Sequence, residues 1–479
     1  MALALAFPEA DLAPLAWFAI APLLFWLDGA GMKKGLGLGL AFGLGFFGFL
    51  LYWISIIGFL GWVVLVLLQT SFVGLFGLVW GKLSGRAPLW ARVLMPGLLW
   101  VVIVEYARAM FPVLGFTWGL LAQGQHDVGW VLKAASIGGG WAIALLVVVV
   151  NAAIAQAAIK VERGRRREAG LLGGAAVLLL AVPALIPAAG GERSTIKVAI
   201  VQGNIPRDME ASFEKDVIIL ESHAHLTEEL PDDVDLVVWP ESSVGIDPFQ
   251  QRDVGETIEG AARTAGAPMI VGGNLERDDG KYQVMAYLIS AEGEFVDQYQ
   301  KTHLVPFGEF VPARRFLDWI PALDQVSRDA APGDEATIFD VAGGKVAPVI
   351  SFEGDFGSLV RGRVAAGGRM VVVATNTSTW EDSWASAQHL AMSEVRAVEN
   401  GVHVVHAALT GISAFVDPSG DVLAATDLWE PDVLIEEIPF ASEVSFYARV
   451  GDWVPIGCLI AVVAWLLRMT LRSKPVTVP

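Results

Sequence analysis

Apolar residues are concentrated in the first 190 residues of the chain and return in a shorter run near its C-terminus. A helix needs about 20 mostly apolar residues to cross a bilayer. The run at 128–158 is too long for one simple span, so we expect part of it to pack or to lie along the membrane interface. We expect residues 1–7 to be the end of a further span whose start is missing. The predicted spans lie at roughly 12–28, 35–56, 57–80, 90–108, 128–158, 169–188 and 452–469.

Basic residues mark every second loop between these predicted spans. The loops hold Lys33 and Lys34; Lys82, Arg86 and Arg92; Lys160, Arg163, Arg165, Arg166 and Arg167; and, after the last span, Arg468, Arg472 and Lys474. Basic loops stay in the cytoplasm under the positive-inside rule. One span separates the third basic loop from the polar middle of the chain, so the middle is predicted to lie outside the cytoplasm. An apolar N-terminus followed by further spans is typical of an anchored segment and not of a cleaved signal peptide.

Between about 193 and 442 the pattern changes to short apolar runs that alternate with helical spacing, which predicts an α/β domain. Strands are predicted at Lys197–Gln202, Leu236–Trp239, Met269–Gly272, Gln283–Ser290, Val346–Ile350, Met370–Thr375, Val402–Ala408 and Gly411–Asp417. Helices are predicted at Ala211–Leu230, Arg252–Thr264 and Ala385–Glu399. The segment 307–345 has no strong periodicity, and a loop of that length is often a lid or a binding element.

These patterns predict three parts: a multi-span transmembrane domain at 1–190, an α/β domain at 193–442 and a closing transmembrane helix at 452–470. Of the 479 residues only 18% are charged, against about 25% in soluble domains. The net charge is −18, and an acidic body argues against binding to nucleic acid. The only cysteine, Cys458, lies in the last apolar run and is predicted to pack inertly.

Three reactive side chains follow apolar, strand-like runs in the α/β region: Glu241, Lys301 and Ser351. A carboxylate between apolar neighbours is a plausible general base, because burial raises its pKa towards working pH. An ammonium group stabilises a developing oxyanion, and a strand-end hydroxyl is an accessible nucleophile. Each residue alone also fits an ordinary structural role without catalytic function: Glu241 as a solvated acid, Lys301 as a surface lysine and Ser351 as a turn serine. Functional groups at strand ends gather at one edge of such a sheet, which favours a shared site.

No metal or other cofactor is predicted. His389 and His406 have no partners at metal-ligand spacing, and no glycine-rich phosphate loop occurs.

Longer motifs surround these residues, and together they resemble the apolipoprotein N-acyltransferases, a membrane-embedded family of the nitrilase (carbon–nitrogen hydrolase) superfamily. The resemblance covers nearly the whole chain. It is carried by Val201-Gln202-Gly203-Asn204-Ile205-Pro206, Trp239-Pro240-Glu241-Ser242, Lys301-Thr302-His303-Leu304-Val305-Pro306-Phe307-Gly308-Glu309-Phe310-Val311-Pro312, Gln388-His389 and Arg396-Ala397-Val398-Glu399-Asn400.

The resemblance implies a four-layer αββα sandwich on the outer side of the bacterial cytoplasmic (inner) membrane. It implies transfer of an acyl chain from a membrane phospholipid, through an acyl-enzyme, to the amine of the diacylglyceryl-cysteine that begins a lipoprotein. In the family pattern Glu241 resembles the base and Lys301 the oxyanion stabiliser. Glu309 resembles a second important acid, and Glu353 follows the nucleophile position. The expected partners are the phospholipid donor, the lipoprotein acceptor and membrane lipid, and the chain is expected to be a monomer.

Ser351 stands where the family places its nucleophilic cysteine, and Phe352 stands where an aromatic residue, usually tyrosine, is expected. A hydroxyl is much harder to ionise than a thiol and needs a well-placed base. Three interpretations are open: an engineered replacement in an active enzyme, an inactive homologue that binds lipid or lipoprotein, and a working serine nucleophile. A membrane-anchored amidase is a further hypothesis, but a soluble substrate gives no reason for so many spans.

Overall fold

The computed structural model describes residues 1–187, 191–207, 211–317 and 319–472. Lys474 of the predicted last basic segment, and residues 188–190 at the predicted end of the transmembrane domain, lie outside the described residues. The chain forms two compact units, Met1–Pro187 with Val450–Pro479 and Ala188–Arg449.

The first unit is helical. In the described part of the chain, six helices are long and apolar enough to cross a membrane. They are α1 (Met32–Leu50), α2 (Phe59–Ser84), α3 (Leu89–Ala109), α4 (Gly140–Glu162), α5 (Arg166–Leu185) and a closing helix at Trp453–Leu471. The long run predicted at 128–158 divides into two short helices, Gly129–Leu132 and Ala135–Gly138, and α4. Gly139, with φ +68°, turns the chain before α4 begins.

The first predicted span, at 12–28, differs from the expectation. The apolar segment Ala13–Leu27 is short, and its helix is interrupted at Ile20 ahead of Pro22. Proline lacks an N–H group and disturbs the preceding turn. Asn151 of α4 provides hydrogen-bond partners for the backbone at this break. Its Oδ1 accepts hydrogen bonds from the N–H groups of Ile20 and Ala21 at 2.9 and 2.8 Å. Its amide nitrogen donates to the carbonyl oxygen of Ala16 at 2.8 Å.

Helices α1 and α2 approach closely along a line of glycines. A Cβ atom on Gly35 would lie 2.2 Å from the carbonyl oxygen of Gly77, and a Cβ on Gly77 would lie 2.3 Å from the carbonyl oxygen of Gly35. Because lipid provides no hydrophobic force between helices, small residues that allow close van der Waals packing commonly line such interfaces.

The second unit contains two six-stranded sheets. The first has the order β12-β1-β2-β3-β4-β5 and the second β11-β10-β9-β8-β7-β6. The strands are β1 (Gly191–Gln202), β2 (Leu236–Val244), β3 (Met269–Glu276), β4 (Tyr282–Ile289), β5 (Phe295–Gln300), β6 (Phe339–Val341), β7 (Gly344–Ile350), β8 (Met370–Thr375), β9 (His403–Ala408), β10 (Ala414–Val416), β11 (Val422–Ala425) and β12 (Asp432–Glu443).

Helices cover both outer faces of the two sheets. Residues of α6 (Phe213–Glu228) and α7 (Arg252–Ala265) share a core with the first sheet, through side chains such as Leu220 and Ile258. Residues of α8 (Gly357–Ala365) and α9 (Ala385–Asn400) share a core with the second sheet. A third core joins the sheets face to face, with Val238 and Val372 among its buried residues. The four-layer αββα sandwich expected from the resemblance is confirmed.

Some elements of this unit were not predicted, namely β6, β11, β12 and α8, whereas β5 is the strand-like run that precedes Lys301. The strand predicted at Gly411–Asp417 is shorter, at Ala414–Val416, whereas Met370–Thr375 has the predicted bounds. Among its described residues, the segment 307–345 holds short elements, Arg314–Leu317, Pro321–Gln325 and the edge strand β6, before β7 begins at Gly344.

The close packing of α1 and α2 gives a test. Gly77→Ala is expected to force the helices apart at a cost of about 1–3 kcal/mol, the usual range for overpacking. The thermal unfolding midpoint of the purified protein in detergent should therefore fall. Gly37→Ala is the matched control, since a Cβ there meets nothing within 4 Å. An unchanged midpoint for Gly77→Ala would contradict the close approach.

Candidate active site

Glu241 lies within β2, where the strand turns out of the regular ladder. The register of β2 with β3 shifts between Trp239 and Val244, and Ser242 has φ +61°. The neighbouring strand allows this close approach only because it carries Gly272. A Cβ on Gly272 would lie 2.2 Å from the carbonyl oxygen of Pro240 and 2.7 Å from Cα of Glu241. The local fold thus places a carboxylate where the buried strand β2 leaves its regular pairing with β3.

Lys301 follows β5 and forms ion pairs with two carboxylates. Its Nζ donates to Oε1 of Glu241 at 3.0 Å and to Oε1 of Glu309 at 2.5 Å. Lys301 is 1% exposed and Glu241 is 7% exposed. The second oxygen of Glu309 accepts a hydrogen bond from the backbone N–H of Val305 at 2.7 Å, which fixes this acid within its own loop. Three of the five predicted site residues therefore form one buried cluster.

Burial and the charges in this cluster shift the pKa values of Glu241 and Lys301. Burial raises the pKa of Glu241, and the nearby negative charge of Glu309 adds to this effect, while Lys301 opposes it. Burial alone would lower the pKa of Lys301, but the two carboxylates reverse that effect and raise it. The cluster therefore combines a permanent ammonium with a carboxylate whose proton affinity exceeds that of an ordinary glutamate.

Ser351 directly follows β7 and adopts a left-handed backbone conformation, with φ +49°. Non-glycine residues in this region carry a strain of about 1–3 kcal/mol and are common at functional sites. Oγ of Ser351 accepts a hydrogen bond from Oγ1 of Thr375, the last residue of β8, at 3.2 Å. The next residue, Asn376, donates its backbone N–H to Oε2 of Glu241 at 2.9 Å. Two consecutive residues at the end of β8 thus connect the serine to the Lys301 cluster.

Glu353 is buried and its carboxylate is occupied by the surrounding backbone and side chains. Its oxygens accept hydrogen bonds from the hydroxyl of Tyr299, the N–H and hydroxyl of Thr302, and the N–H groups of His303 and Ile350, at 2.6–3.1 Å. Arg363 reaches the same carboxylate at 3.8 Å and donates to the Tyr299 hydroxyl. This geometry suits a positioning residue more than a proton carrier.

A buried acid–imidazole pair supports the turn after Ser351. Oδ1 of Asp355 lies 3.1 Å from Nε2 of His389 in α9, and both side chains are 1% exposed. Burial raises the pKa of Asp355, and His389 opposes this shift. His303 stacks on Phe352, and its pKa is lowered chiefly by burial. Sequence analysis did not connect these residues, because their pairing depends on how α9 packs.

Thr375 and Asn376 are the site residues that sequence reasoning missed. The signal was weak but present, because the polar residue Thr375 ends the apolar run Met370–Thr375 much as Ser351 follows the apolar run Val346–Ile350. Cys458 is buried in the closing helix. Within the described residues no group of three His, Cys, Asp or Glu side chains is arranged to hold a metal ion, and the expected lack of a cofactor stays a prediction.

Comparison with known proteins matches both units. Residues 197–447 match the carbon–nitrogen hydrolase family, and residues 1–153 match the N-terminal domain of apolipoprotein N-acyltransferases. The apolipoprotein N-acyltransferase of Geobacter metallireducens is 33% identical over 99% of this chain and 94% of that protein. The one from Mycolicibacterium smegmatis is 30% identical over 99% of this chain and 84% of that protein. An amidase from Nesterenkonia sp. has 19% identity and a TM-score of 0.40 over 53% of this chain and 92% of that one.

The sandwich and the family match define an enzyme of the nitrilase superfamily, and its described residues include several apolar helices long enough to cross a membrane. The chain belongs to the apolipoprotein N-acyltransferase family. The resemblance found in the motifs is thereby confirmed for the family.

Glu353 gives a prediction for stability. Glu353→Gln places an amide N–H₂ among donors that need an acceptor, and leaving buried donors unpaired costs about 3 kcal/mol. The thermal midpoint of the α/β unit should fall by roughly 5–10 °C, given its size. Glu335→Gln, at an exposed position, is the matched control and should leave the midpoint unchanged. A midpoint for Glu353→Gln equal to that of the control would refute the central role of this carboxylate.

Proposed function

We propose that this protein transfers an acyl chain from a membrane phospholipid, through an acyl ester on Ser351, to the N-terminal amine of the diacylglyceryl-cysteine that begins a lipoprotein. The two relatives described above are named apolipoprotein N-acyltransferases, and each matches 99% of this chain. The observation that carries the proposal is the link through β8, where Thr375 contacts Ser351 at 3.2 Å and Asn376 contacts Glu241 at 2.9 Å.

In the first half-reaction, Oγ of Ser351 attacks the ester carbonyl carbon of the phospholipid while Glu241 takes the hydroxyl proton. The ammonium of Lys301 stabilises the oxyanion of the tetrahedral intermediate. Glu241 then returns the proton to the departing lysophospholipid oxygen. Glu309 serves this step indirectly, because its contact at 2.5 Å holds Lys301 in place.

In the second half-reaction, the amine of the lipoprotein attacks the acyl carbon of the Ser351 ester. Glu241 takes a proton from the amine nitrogen and gives it to Oγ of Ser351 as the ester bond breaks. The products are an amide and the free serine. An oxyester reacts less readily with amines than a thioester, and a loss of ~4 kcal/mol in transition-state stabilisation would slow turnover about a thousandfold. A low rate is therefore part of the proposal.

The basic loops support a location in the bacterial cytoplasmic membrane with the α/β unit on the extracytoplasmic side. Lys33 and Lys34 lie in the first turn of α1 and Lys82 lies in the last turn of α2, which supports placing both basic segments at one membrane surface. Lipoprotein substrates carry their modified cysteine at the outer surface in this arrangement. We propose that the chain acts as a monomer.

A second candidate function is binding of lipid or lipoprotein without turnover. It is favoured by the environment of Ser351, whose hydroxyl contacts another hydroxyl, Thr375, and has no described hydrogen bond to the Glu241 carboxylate. A serine nucleophile ordinarily relies on a base bonded directly to it.

Mass spectrometry of a lipoprotein's N-terminal peptide separates the two functions. Cells that lack their own N-acyltransferase would express this chain or the variants Ser351→Cys, Ser351→Ala and Glu241→Gln. We expect slow formation of triacylated peptide with Ser351, at least tenfold more with Ser351→Cys, and none with Ser351→Ala or Glu241→Gln. Acylation that persists with Ser351→Ala would exclude the serine ester. Failure of both the serine and cysteine forms, at equal expression, would favour binding without turnover.

The raised pKa of Glu241 gives a pH prediction for the first half-reaction. Glutamate acts as a base only when ionised, so the rate falls as the pH drops through its pKa in the folded protein. Because that pKa lies above the usual value of about 4.3, the decline should begin at a higher pH than for an exposed glutamate.

The measurement is release of lysophospholipid by the protein in vesicles without a lipoprotein acceptor, which removes titration of the acceptor amine. Ser351→Cys provides a larger signal with the same base. A rate that stays constant down to pH 4 would contradict the role of Glu241.

A further inference from the structure

The hydroxyl of Thr375 contacts the hydroxyl of Ser351 because of the register of the second sheet. Strands β7 and β8 pair in parallel with Ile350 opposite Ala374. One further step along this ladder brings Ser351 beside Thr375, where Oγ1 of Thr375 donates to Oγ of Ser351 over 3.2 Å. Thr375 is completely buried and also pairs with Ala408 of β9 on its other side. The contact is therefore fixed by the central strands of the sheet.

The direction of this hydrogen bond suits a serine. A donor to Oγ stabilises the negative charge that develops there when the proton leaves. It also leaves the proton of Ser351 free to be transferred to a base. A cysteine has less need of such help, since a free thiol is already a few per cent ionised at neutral pH and sulfur is a weak acceptor.

The position of Thr375 also connects the serine to its proposed base. The adjoining backbone N–H of Asn376 donates to Oε2 of Glu241 at 2.9 Å. Two consecutive residues therefore hold the attacking oxygen and the carboxylate that accepts its proton.

We propose that Thr375 is a further catalytic residue of this chain, which activates Ser351 by donating a hydrogen bond to its Oγ. The inference rests on the proposed function, in which Ser351 is the acylated residue. As Oγ bonds to the acyl carbon, the serine proton passes to Glu241. The threonine keeps its own proton, and its hydrogen bond stabilises the charge on Oγ.

A fluorophosphonate probe tests this step without a lipoprotein. Oγ of Ser351 attacks phosphorus, fluoride leaves, and the serine proton passes to Glu241. The full-length protein in detergent would be labelled, and the modified Ser351 peptide would be followed over time by mass spectrometry. Thr375→Val retains the shape of the side chain without its donor and is expected to slow labelling about tenfold. Thr375→Ser, which keeps a hydroxyl, should restore most of the rate.

Thr377→Val is the matched control, because it is the same substitution two residues further along. Thr377 is buried, and its Oγ1 has no hydrogen-bond partner among the described residues. This variant should be labelled at the wild-type rate. Thermal unfolding of each variant would show that the site is folded.

A second background separates activation from simple packing. In Ser351→Cys, alkylation of the thiol by iodoacetamide should change less than twofold when Thr375→Val is added. If Thr375 only supported the fold of the turn, its replacement would slow both the serine and the cysteine reactions to the same extent. Equal slowing in the two backgrounds would therefore overturn the inference.

The inference would also be overturned if Ser351 were not labelled at all, or if Thr375→Val were labelled as fast as the wild type. Its failure is distinguishable from failure of the proposed function. Labelling that depends on Thr375, with no triacylated lipoprotein in cells, would support the activated serine and reject the transferase. Triacylated lipoprotein together with labelling that is independent of Thr375 would support the transferase and reject the activation of Ser351 by Thr375.

Discussion

One buried carboxylate fixes the distance between the two halves of the site. Glu353 accepts hydrogen bonds from the backbone at Thr302 and His303, directly after Lys301, and from the backbone at Ile350, directly before Ser351. Lys301 follows a strand of the first sheet and Ser351 follows a strand of the second. The distance between the Lys301 ammonium and the Ser351 hydroxyl thus depends on one anion that contacts the backbone beside both residues. Van der Waals packing between the two sheets alone would define this distance less well.

The ion cluster around Lys301 depends on a balance between burial and attraction. Removing an ammonium and a carboxylate from water costs several kcal/mol for each ion, and their attraction repays this cost only with good geometry. Glu241 alone would compensate the lysine charge. The addition of Glu309 secures the charged form of Lys301, since both acids raise its pKa. The same arrangement makes Glu241 a better base, because Glu309 adds to the effect of burial on its pKa.

The sequence was informative wherever a local pattern was strong. The apolar run Met370–Thr375 predicted β8 with its observed bounds, and the motifs around Glu241 and Lys301 predicted groups that the fold brings together. β12 was missed because Asp432–Glu443 has no regular alternation and contains the pair Glu436-Glu437 and Pro439. It lies at the edge of a sheet and becomes a strand through its antiparallel pairing with β1. Glu353 was singled out as a site residue because it follows the nucleophile position in the family pattern. Only the tertiary contacts show that its oxygens are occupied, and only the register of β7 and β8 shows that Thr375 faces the serine.

The left-handed conformation of Ser351 limits which amino acids evolution can place at this position. An unbranched side chain tolerates a φ of +49° at moderate cost, and serine and cysteine are both unbranched at Cβ. A β-branched residue in the same conformation is a rare outlier, so threonine is disfavoured although it carries the same hydroxyl. The backbone conformation at this position therefore permits exchange between serine and cysteine, whose side chains differ only in an oxygen or a sulfur atom. It disfavours threonine, although threonine has the same reactive group as serine.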